Sequence, residues 1–249
     1  MSMSDRGELQ VYRNPPVLAH ALADYFIANA TLALAERGEF RVALAGGRTP
    51  RAAYELLGTE PLSTEVSWSD TFLYFGDERC VPPEDEQSNY RMVQRALLNA
   101  VPIPSGNVHR VRGEIDPGLA ANEYASILRA DLGETPQFDL ILLGLGQDGH
   151  TASLFPGTAP DTDDAALVRA VYAKSQMMWR VTVTPKVINM ARNVVFAVEG
   201  AEKAQIMAQV YEGPRDPVKY PAQIVHPVSG RLSWFVDELA AGLLRAKAH

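Results

Sequence analysis

The sequence is poor in cysteine, carries an excess of negative charge, and lacks a long uninterrupted apolar run. Its one cysteine, Cys80, cannot form an internal disulfide, which is typical of a protein from a reducing compartment. No uninterrupted apolar run approaches the roughly 20 residues of a membrane helix. The first residues, Met-Ser-Met-Ser-Asp-Arg, lack the apolar core of a secretory signal. We therefore expect a cytoplasmic protein without a membrane segment.

The balance of charge excludes one class of partner and raises a question about another. The chain has 23 basic and 30 acidic residues, for a net charge of −7. We expect no nucleic-acid partner, because binding to a phosphate backbone needs a basic face. An anionic small molecule would need local positive charge, arranged against the overall field of the protein. Basic residues beside glycine-rich turns are therefore the candidates to examine.

Short apolar segments alternate with helical patterns along all 249 residues. This alternation predicts an α/β fold, with an open, mainly parallel sheet and helices on both faces. With no repeat, linker or boundary in the pattern, we expect a single domain over residues 1–249. Strands are predicted at 40–45, 71–75, 138–143, 180–184, 194–198 and 231–236. Helices are predicted at 15–37, 49–57, 88–98, 117–132, 201–211 and beyond 236.

In such sheets ligands bind beyond the carboxyl ends of the strands, so the turns after the strands matter most. The first is Ala45-Gly46-Gly47-Arg48-Thr49-Pro50. Paired glycines let the backbone approach a ligand closely, and the free N–H groups of the next helix favour an anion. Arg48 adds charge, and Thr49 can cap the helix or contact the ligand. The turn predicts a phosphate site, although an ordinary strand-to-helix connection can have the same composition.

The second turn, Phe75-Gly76-Asp77-Glu78-Arg79-Cys80, places two acids and an arginine after a buried strand. Such a group suits a general base or a positioned ion pair, and a solvated charged loop is the alternative. Arg79 could lower the pKa of Cys80. A lone cysteine in this setting is nevertheless better interpreted as packing than as a nucleophile.

The third turn, Gly144-Leu-Gly146-Gln-Asp148-Gly149-His150, matches the dinucleotide pattern G-x-G-x-x-G. That pattern belongs in a first strand–helix turn followed by a full helix, and here Pro156-Gly157 stops any helix early. We therefore reject a dinucleotide cofactor. His150 is the candidate proton acceptor, because imidazole changes protonation near neutral pH, and Asp148 could orient it. Ser153 lacks the G-x-S-x-G elbow of a serine nucleophile.

Two later cations complete the set of candidates. Arg180 begins a predicted strand, and Lys203 lies in the first turn of a predicted helix. A cation there opposes the helix dipole, which indicates an anionic ligand nearby; an exposed lysine is the alternative. No His, Cys or carboxylate residues have convincing metal-ligand spacing, so we expect no metal.

Taken in order, these motifs resemble the glucosamine-6-phosphate isomerase/6-phosphogluconolactonase family, and the lactonase members in particular. The resemblance covers nearly the whole chain, and its most specific part is the long Gly-Asp-Gly-His segment. The motifs that carry it are Gly46–Pro50, Phe75–Arg79 with Val81-Pro82 and Ser88-Asn89, Gly144–Gly157, Arg180–Thr184 with Asn189 and Ala191, and Trp234–Asp237.

The resemblance implies hydrolysis of 6-phospho-D-glucono-1,5-lactone to 6-phospho-D-gluconate in the oxidative pentose phosphate pathway, with no metal or cofactor. It implies a fold related to glucosamine-6-phosphate deaminase and ribose-5-phosphate isomerase. The lactone would lie at His150, Asp77 and Arg79. The resemblance assigns the remaining site residues to two sets. The phosphate would be bound by Gly46, Gly47, Arg48, Thr49, Arg180 and Lys203. The rest of the pocket would be formed by Gly144, Gly146, Asp148 and Gly149.

A lactone is an activated ester, so its hydrolysis needs no covalent nucleophile. We expect His150 to take a proton from the attacking water. Arg79 or a backbone N–H would stabilise the oxyanion, while Asp77 would orient a hydroxyl, His150 or the water. Asp77 as the base is the alternative, because deaminase-type relatives use an acid at this turn.

Two other functions remain open from the sequence. The first is glucosamine-6-phosphate deaminase, although Arg79 and the run Ser-Leu-Phe-Pro-Gly after His150 resemble the lactonase pattern. The second is a non-catalytic sugar-phosphate sensor, which would normally accompany a DNA-binding domain. The sequence does not fix the oligomeric state, and a monomer and a small homo-oligomer both fit it.

Overall fold

The computed structural model describes residues 6–157 and 165–245, and a six-stranded sheet runs through its centre. All neighbouring strands of this sheet are parallel, in the order β1-β9-β8-β5-β2-β3. The predicted α/β class with a mainly parallel sheet is confirmed. The strands are β1 (Glu8–Tyr12), β2 (Phe40–Leu44), β3 (Thr71–Phe75), β5 (Leu140–Leu143), β8 (Asn193–Val198) and β9 (Arg231–Asp237).

Helices cover both faces of the sheet, and the first begins and ends as its capping residues predict. Asn14 Oδ1 accepts a hydrogen bond from the N–H of Val17 at 3.1 Å, and Gly38 ends the helix with a φ of 75°. The helices are α1 (Pro15–Arg37), α2 (Arg48–Leu57), α3 (Asn89–Val93), which continues as a π-helical turn (Gln94–Leu98), α4 (Pro117–Leu132), α5 (Pro185–Met190) and α6 (Ala204–Tyr211).

Helix α1 is long and apolar enough to cross a membrane if length and composition alone are considered. This differs from the sequence-based expectation, which considered only uninterrupted apolar runs. In the structure Leu18, Leu22 and Phe26 are fully buried in the apolar layer on one face of the sheet. The helix is therefore packed here as a core element, and its apolar composition is explained by that burial.

The central strands supply apolar side chains to both layers because successive residues point to opposite faces. Leu140 and Leu142 of β5 pack with α1 and α2. Ile141 and Leu143 pack on the other face with α4 and α6. This burial on both faces explains the continuous apolar runs by which the strands are recognised in the sequence.

A second, antiparallel sheet of three strands, in the order β4-β7-β6, was not predicted. It consists of β4 (Asp77–Arg79), β6 (Val168–Ala173) and β7 (Met178–Val183). Gly76 joins the two sheets, since its N–H donates to Leu44 O at 2.9 Å and its carbonyl accepts from Val183 N at 2.9 Å. The segment after β3 is thus a strand and not a loop, and the strand predicted at 180–184 belongs to the small sheet.

The segment after β9 also differs from prediction, because Glu238–Arg245 forms turns instead of a helix. Asp237 Oδ1 accepts from Ala240 N at 2.8 Å and from Gly200 N at 3.0 Å. The carboxylate thus ties this segment to the turn after β8. The rest of the predicted helix lies outside the described residues. Strands β1 and β6 and helix α5 were missed altogether.

The chain order of the strands locates the place where a ligand can enter. From β2 the chain crosses outward to β3, whereas from β5 it crosses in the opposite direction to β8. The connections that follow β2 and β5 therefore run in opposite directions. Such a switch point opens a crevice between the two strands at their carboxyl ends. The Gly46 and Gly144 turns flank this crevice.

His109, away from the crevice, leads to a prediction about stability. Its ring stacks on Tyr74 with centroids 4.6 Å apart, and its buried Nε2 has no hydrogen-bond partner among the described residues. Burial lowers the pKa of His109 against the opposing attraction of Asp131. The unfolded chain therefore binds this proton at a higher pH than the folded protein does.

We expect the free energy of unfolding to fall as the pH drops below about 6.5, the ordinary value for histidine. Urea unfolding at several pH values measures this dependence. In the His109→Gln variant the fall should be shallower, because the titrating group is gone. Identical pH dependence in the two proteins would contradict the assignment.

Candidate active site

A cleft of about 230 Å³ opens at the switch point, beyond the carboxyl ends of β2, β3 and β5. Its walls come from the three turns singled out in the sequence and from the small sheet. Most of the predicted site residues therefore meet in one place. The polar and glycine residues that line it are Gly46, Gly47, Gly76, Asp77, Arg79, Gly144, Gly146, His150, Gln176, Arg180 and Lys203.

His150 is held in the cleft by its own turn. Its Nδ1 lies 2.5 Å from Asp148 Oδ1, and its carbonyl accepts from Gly146 N at 2.8 Å. The ring also packs on Phe155, with centroids 4.9 Å apart. Because Asp148 binds Nδ1, the lone pair of a neutral His150 is placed on Nε2.

The Asp148 carboxylate is suited to this role. Burial alone raises the pKa of Asp148, but the hydrogen bond and charge interaction with His150 outweigh it and lower that pKa. An ionised carboxylate at Nδ1 stabilises the imidazolium that forms when Nε2 takes a proton. The contact between these two residues, which adjacency in sequence only suggested, is present.

Gly146 is required for this geometry, and a matched pair of glycine variants tests it. A Cβ added at Gly146 would lie 2.0 Å from His150 Nδ1 and 2.7 Å from Asp148 Oδ1. A Cβ added at Gly106, an exposed glycine outside the cleft, would meet nothing within 4 Å. We expect Gly146→Ala to lower kcat about 10²-fold, because it displaces the imidazole, while Gly106→Ala changes kcat little. Equal kcat values for the two variants would contradict this account.

Asp77 is buried at the start of β4, where both of its carboxylate oxygens accept hydrogen bonds. Asn89 Nδ2 donates to Oδ1 at 3.1 Å and to the Asp77 carbonyl at 2.9 Å. Ser153 Oγ donates to Oδ2 at 2.6 Å. Since Ser153 is only 1% exposed and its hydroxyl is engaged in this bond, it is not placed as a nucleophile.

Arg79 and Arg180 lie directly opposite each other on β4 and β7. Opposed residues of an antiparallel pair carry their side chains on the same face, with Cβ atoms about 5 Å apart. Arg180 is only 6% exposed, and its pKa is lowered first by burial and then by Arg79. The buried Nε atoms of both arginines have no hydrogen-bond partner among the described residues. Two such cations side by side favour an anion between them.

The neighbours of these residues in the sequence have structural roles. Glu78, on the opposite face of β4, accepts from the N–H groups of Asn89 at 2.7 Å and Tyr90 at 2.8 Å, at the start of α3. Burial, followed by the charge on Glu78, raises the pKa of Cys80 to about 11. That pKa leaves the thiol protonated, which agrees with the interpretation of Cys80 as packing.

The glycine turn reaches the cleft through Gly46 and Gly47, but its next two side chains do not. Arg48 is 75% exposed, with Nη2 2.7 Å from Glu202 Oε1 and Nε 3.8 Å from Glu199. Thr49 is buried inside α2, whose N-cap is Gly47, so Thr49 does not cap the helix. The ion pairs with these two carboxylates hold the side chain of Arg48 outside the cleft.

Lys203 lines the cleft from the turn after β8. Its Nζ donates to Leu145 O at 2.8 Å, and burial lowers its pKa. Asp148 and Gly149 do not line the cleft. The Gly149 carbonyl instead accepts a hydrogen bond from Ala222 N at 2.9 Å, which helps to hold the turn in place.

Gln176 is a cleft residue that no sequence motif indicated. It ends a short 3₁₀ turn (Lys174–Gln176) between β6 and β7, and its side chain accepts a hydrogen bond from Arg180 Nη2. Only the pairing of these two strands, which was not predicted, brings it to the site. No group of three or more His, Cys, Asp or Glu residues within 6–157 and 165–245 converges as a metal site would.

A family model and a related protein of known name both point to one family. The family model described as glucosamine-6-phosphate isomerases/6-phosphogluconolactonase matches residues 13–234. The 6-phosphogluconolactonase of Synechocystis sp. is 38% identical over 243 residues, which cover 96% of this chain and 98% of that protein.

Solved structures extend the comparison to the fold. A 6-phosphogluconolactonase from Trypanosoma cruzi superposes with a TM-score of 0.85 at 28% identity, over 96% of this chain and 97% of that one. A monomeric glucosamine-6-phosphate deaminase superposes with a TM-score of 0.82 at 18% identity, over 95% of this chain and 99% of that one. At that identity the deaminase shows a shared fold alone.

Proposed function

Because the chain belongs to the glucosamine-6-phosphate isomerase/6-phosphogluconolactonase family, we propose that it hydrolyses 6-phospho-D-glucono-1,5-lactone to 6-phospho-D-gluconate. The observation that carries this proposal is the composition of the cleft. A histidine with its orienting carboxylate faces the same space as two adjacent guanidinium groups and an ammonium group. Such a cleft suits water attack on a neutral carbonyl of a molecule that carries a phosphate.

His150 is proposed as the general base. Its Nε2 takes a proton from water as the water oxygen attacks C1, and the C1 carbonyl oxygen becomes an oxyanion. When the oxyanion collapses, the bond between C1 and the ring oxygen breaks. The proton on Nε2 then passes to that leaving oxygen, which restores neutral His150. Asp148 stabilises the transient imidazolium throughout.

Asp77 is proposed to orient the substrate and not to serve as the base. Both of its oxygens already accept hydrogen bonds from Asn89 and Ser153. A carboxylate held in this way is suited to accept a further hydrogen bond from a sugar hydroxyl. The oxyanion is stabilised by Arg79 or by a backbone N–H.

The phosphate is proposed to lie between the Gly46-Gly47 turn, Arg180 and Lys203. The glycines let the phosphate approach the first N–H groups of α2, and the two cations neutralise its charge. Both cations line the cleft. The side chains of Arg48 and Thr49 are not proposed as ligands, in contrast to the expectation from the sequence.

One assay separates this proposal from its rivals. Purified protein is given 6-phosphogluconolactone, spontaneous hydrolysis is subtracted, and ammonia release from glucosamine 6-phosphate is measured in parallel. We expect lactone hydrolysis well above background and no ammonia. Ammonia release without lactone turnover would support a deaminase, and 6-phosphogluconate binding without turnover of either compound would support a sensor.

We propose a cytoplasmic enzyme of the oxidative pentose phosphate pathway, formed by a single domain over residues 1–249, that needs no metal or cofactor. Its partner is the small phosphorylated lactone, and neither nucleic acid nor a membrane is required.

A further inference from the structure

Two buried polar side chains at the cleft are not used by the proposed reaction. Asn89 is 2% exposed and Ser153 is 1% exposed. Neither lines the cleft, so neither is placed to contact the substrate. Their side-chain donors converge on Asp77, one at each carboxylate oxygen.

Each of the two donors is itself held in place by the fold. The backbone N–H of Asn89 donates to Glu78 Oε1 at 2.7 Å, at the start of α3. The backbone N–H of Ser153 donates to Thr182 Oγ1 on β7 at 3.2 Å. The Asp77 carboxylate therefore cannot rotate without breaking hydrogen bonds to two fixed groups.

Asn89 also connects Asp77 to the glycine turn. A Cβ added at Gly46 would lie 2.1 Å from Asn89 Oδ1, so the amide packs directly on the Gly46 backbone. Ser153 belongs to the segment that follows His150. Through Asn89 and Ser153, one carboxylate links the turns that follow β2, β3 and β5.

We infer that Asn89 and Ser153 are positioning residues, which fix the Asp77 carboxylate in the orientation that accepts a sugar hydroxyl of the substrate. This inference rests on the proposed function, since it assumes that Asp77 binds the sugar. Its alternative is that the two residues only satisfy buried hydrogen bonds and stabilise the fold. The two interpretations make different predictions. A positioning role affects substrate binding only when Asp77 is present, whereas a structural role does not depend on Asp77.

A double-mutant cycle separates the two readings. The affinity for 6-phosphogluconate is measured by calorimetry, and kcat/KM by lactone hydrolysis. Ser153→Ala and Asn89→Ala are each made in the natural sequence and in an Asp77→Ala background. In the natural sequence we expect each substitution to weaken both quantities by about 10-fold. In the Asp77→Ala background the same substitutions should change the product affinity less than about 2-fold.

Matched controls identify general damage to the fold. Ser233 and Asn29 are buried residues of the same types outside the cleft, so Ser233→Ala and Asn29→Ala should leave the affinity unchanged. Midpoints of thermal unfolding are recorded for every variant. If Ser153→Ala is insoluble, Ser153→Cys replaces it in the same cycle, since a thiol is a much weaker donor.

The outcomes are distinct. Losses that vanish in the Asp77→Ala background support the inference. Losses of equal size in both backgrounds, or no loss in the natural sequence, overturn it while the proposed function stands. If the natural sequence neither turns over the lactone nor binds the product, the proposed function fails, and this inference fails with it.

Discussion

Replacing His150 with alanine is expected to lower kcat for lactone hydrolysis by about 10²–10⁴-fold, the range for loss of a general base. The physical reason is that no other described group combines a free proton-accepting nitrogen with an orienting carboxylate in the cleft. KM should change little, because the imidazole contributes mainly when the proton is transferred. Initial rates after subtraction of spontaneous hydrolysis measure the effect.

Two further variants sharpen this prediction. Asp148→Asn keeps the shape of the side chain and removes its charge, so it should lower kcat by less than His150→Ala does. His226→Ala removes an exposed histidine outside the cleft and should leave the rate unchanged. Near-normal turnover by His150→Ala would reject His150 as the base and leave Asp77 as the candidate.

Replacing Arg180 with methionine should give the second large effect. The guanidinium is almost completely buried, and within the described residues its Nε has no partner, so its interaction with an anion is weakly screened. Each hydrogen bond from a charged donor is worth about 1.5–3 kcal/mol. Loss of two such bonds should lower kcat/KM for the phosphorylated lactone by about 10²–10⁴-fold.

The unphosphorylated lactone provides the control for this experiment. If Arg180 binds the phosphate, Arg180→Met should leave the low activity on D-glucono-1,5-lactone nearly unchanged. Arg169→Met, an exposed arginine on β6 of the same small sheet, should affect neither substrate. Equal losses with both lactones would show that Arg180 acts at the lactone ring or on the fold, and not on the phosphate.

The sequence predicted the central sheet well because its strands are short, apolar and separated by capped helices. Helix α1 is an example, since the hydrogen bond at Asn14 and the left-handed Gly38 follow directly from residue types. The missed strands have weaker patterns. Strand β1 lies at the sheet edge with no fully buried residue, and β6 has exposed and buried positions without regular alternation.

The candidate site was predicted to the extent that it is built from turns after strands. Gly46, Asp77, Gly144 and His150 follow strands that the apolar pattern identifies, and parallel order brings their ends together. The position of Arg180 beside Arg79 depends on an antiparallel pairing between distant segments. Such pairing has no local signal in the sequence, and the contact of Arg48 with Glu202 has none either.

The junction at Gly76 has a consequence for how this site can change in evolution or by design. Arg79 and Arg180 belong to the small sheet, whereas His150 and Asp148 follow the central sheet. Arg180, a proposed phosphate ligand, and His150, the proposed base, are therefore positioned by two different sheets, and Gly76 forms hydrogen bonds to both. We therefore expect that the hairpin of β6 and β7 can be redesigned to accept lactones with a different charged group without altering the turn that carries His150.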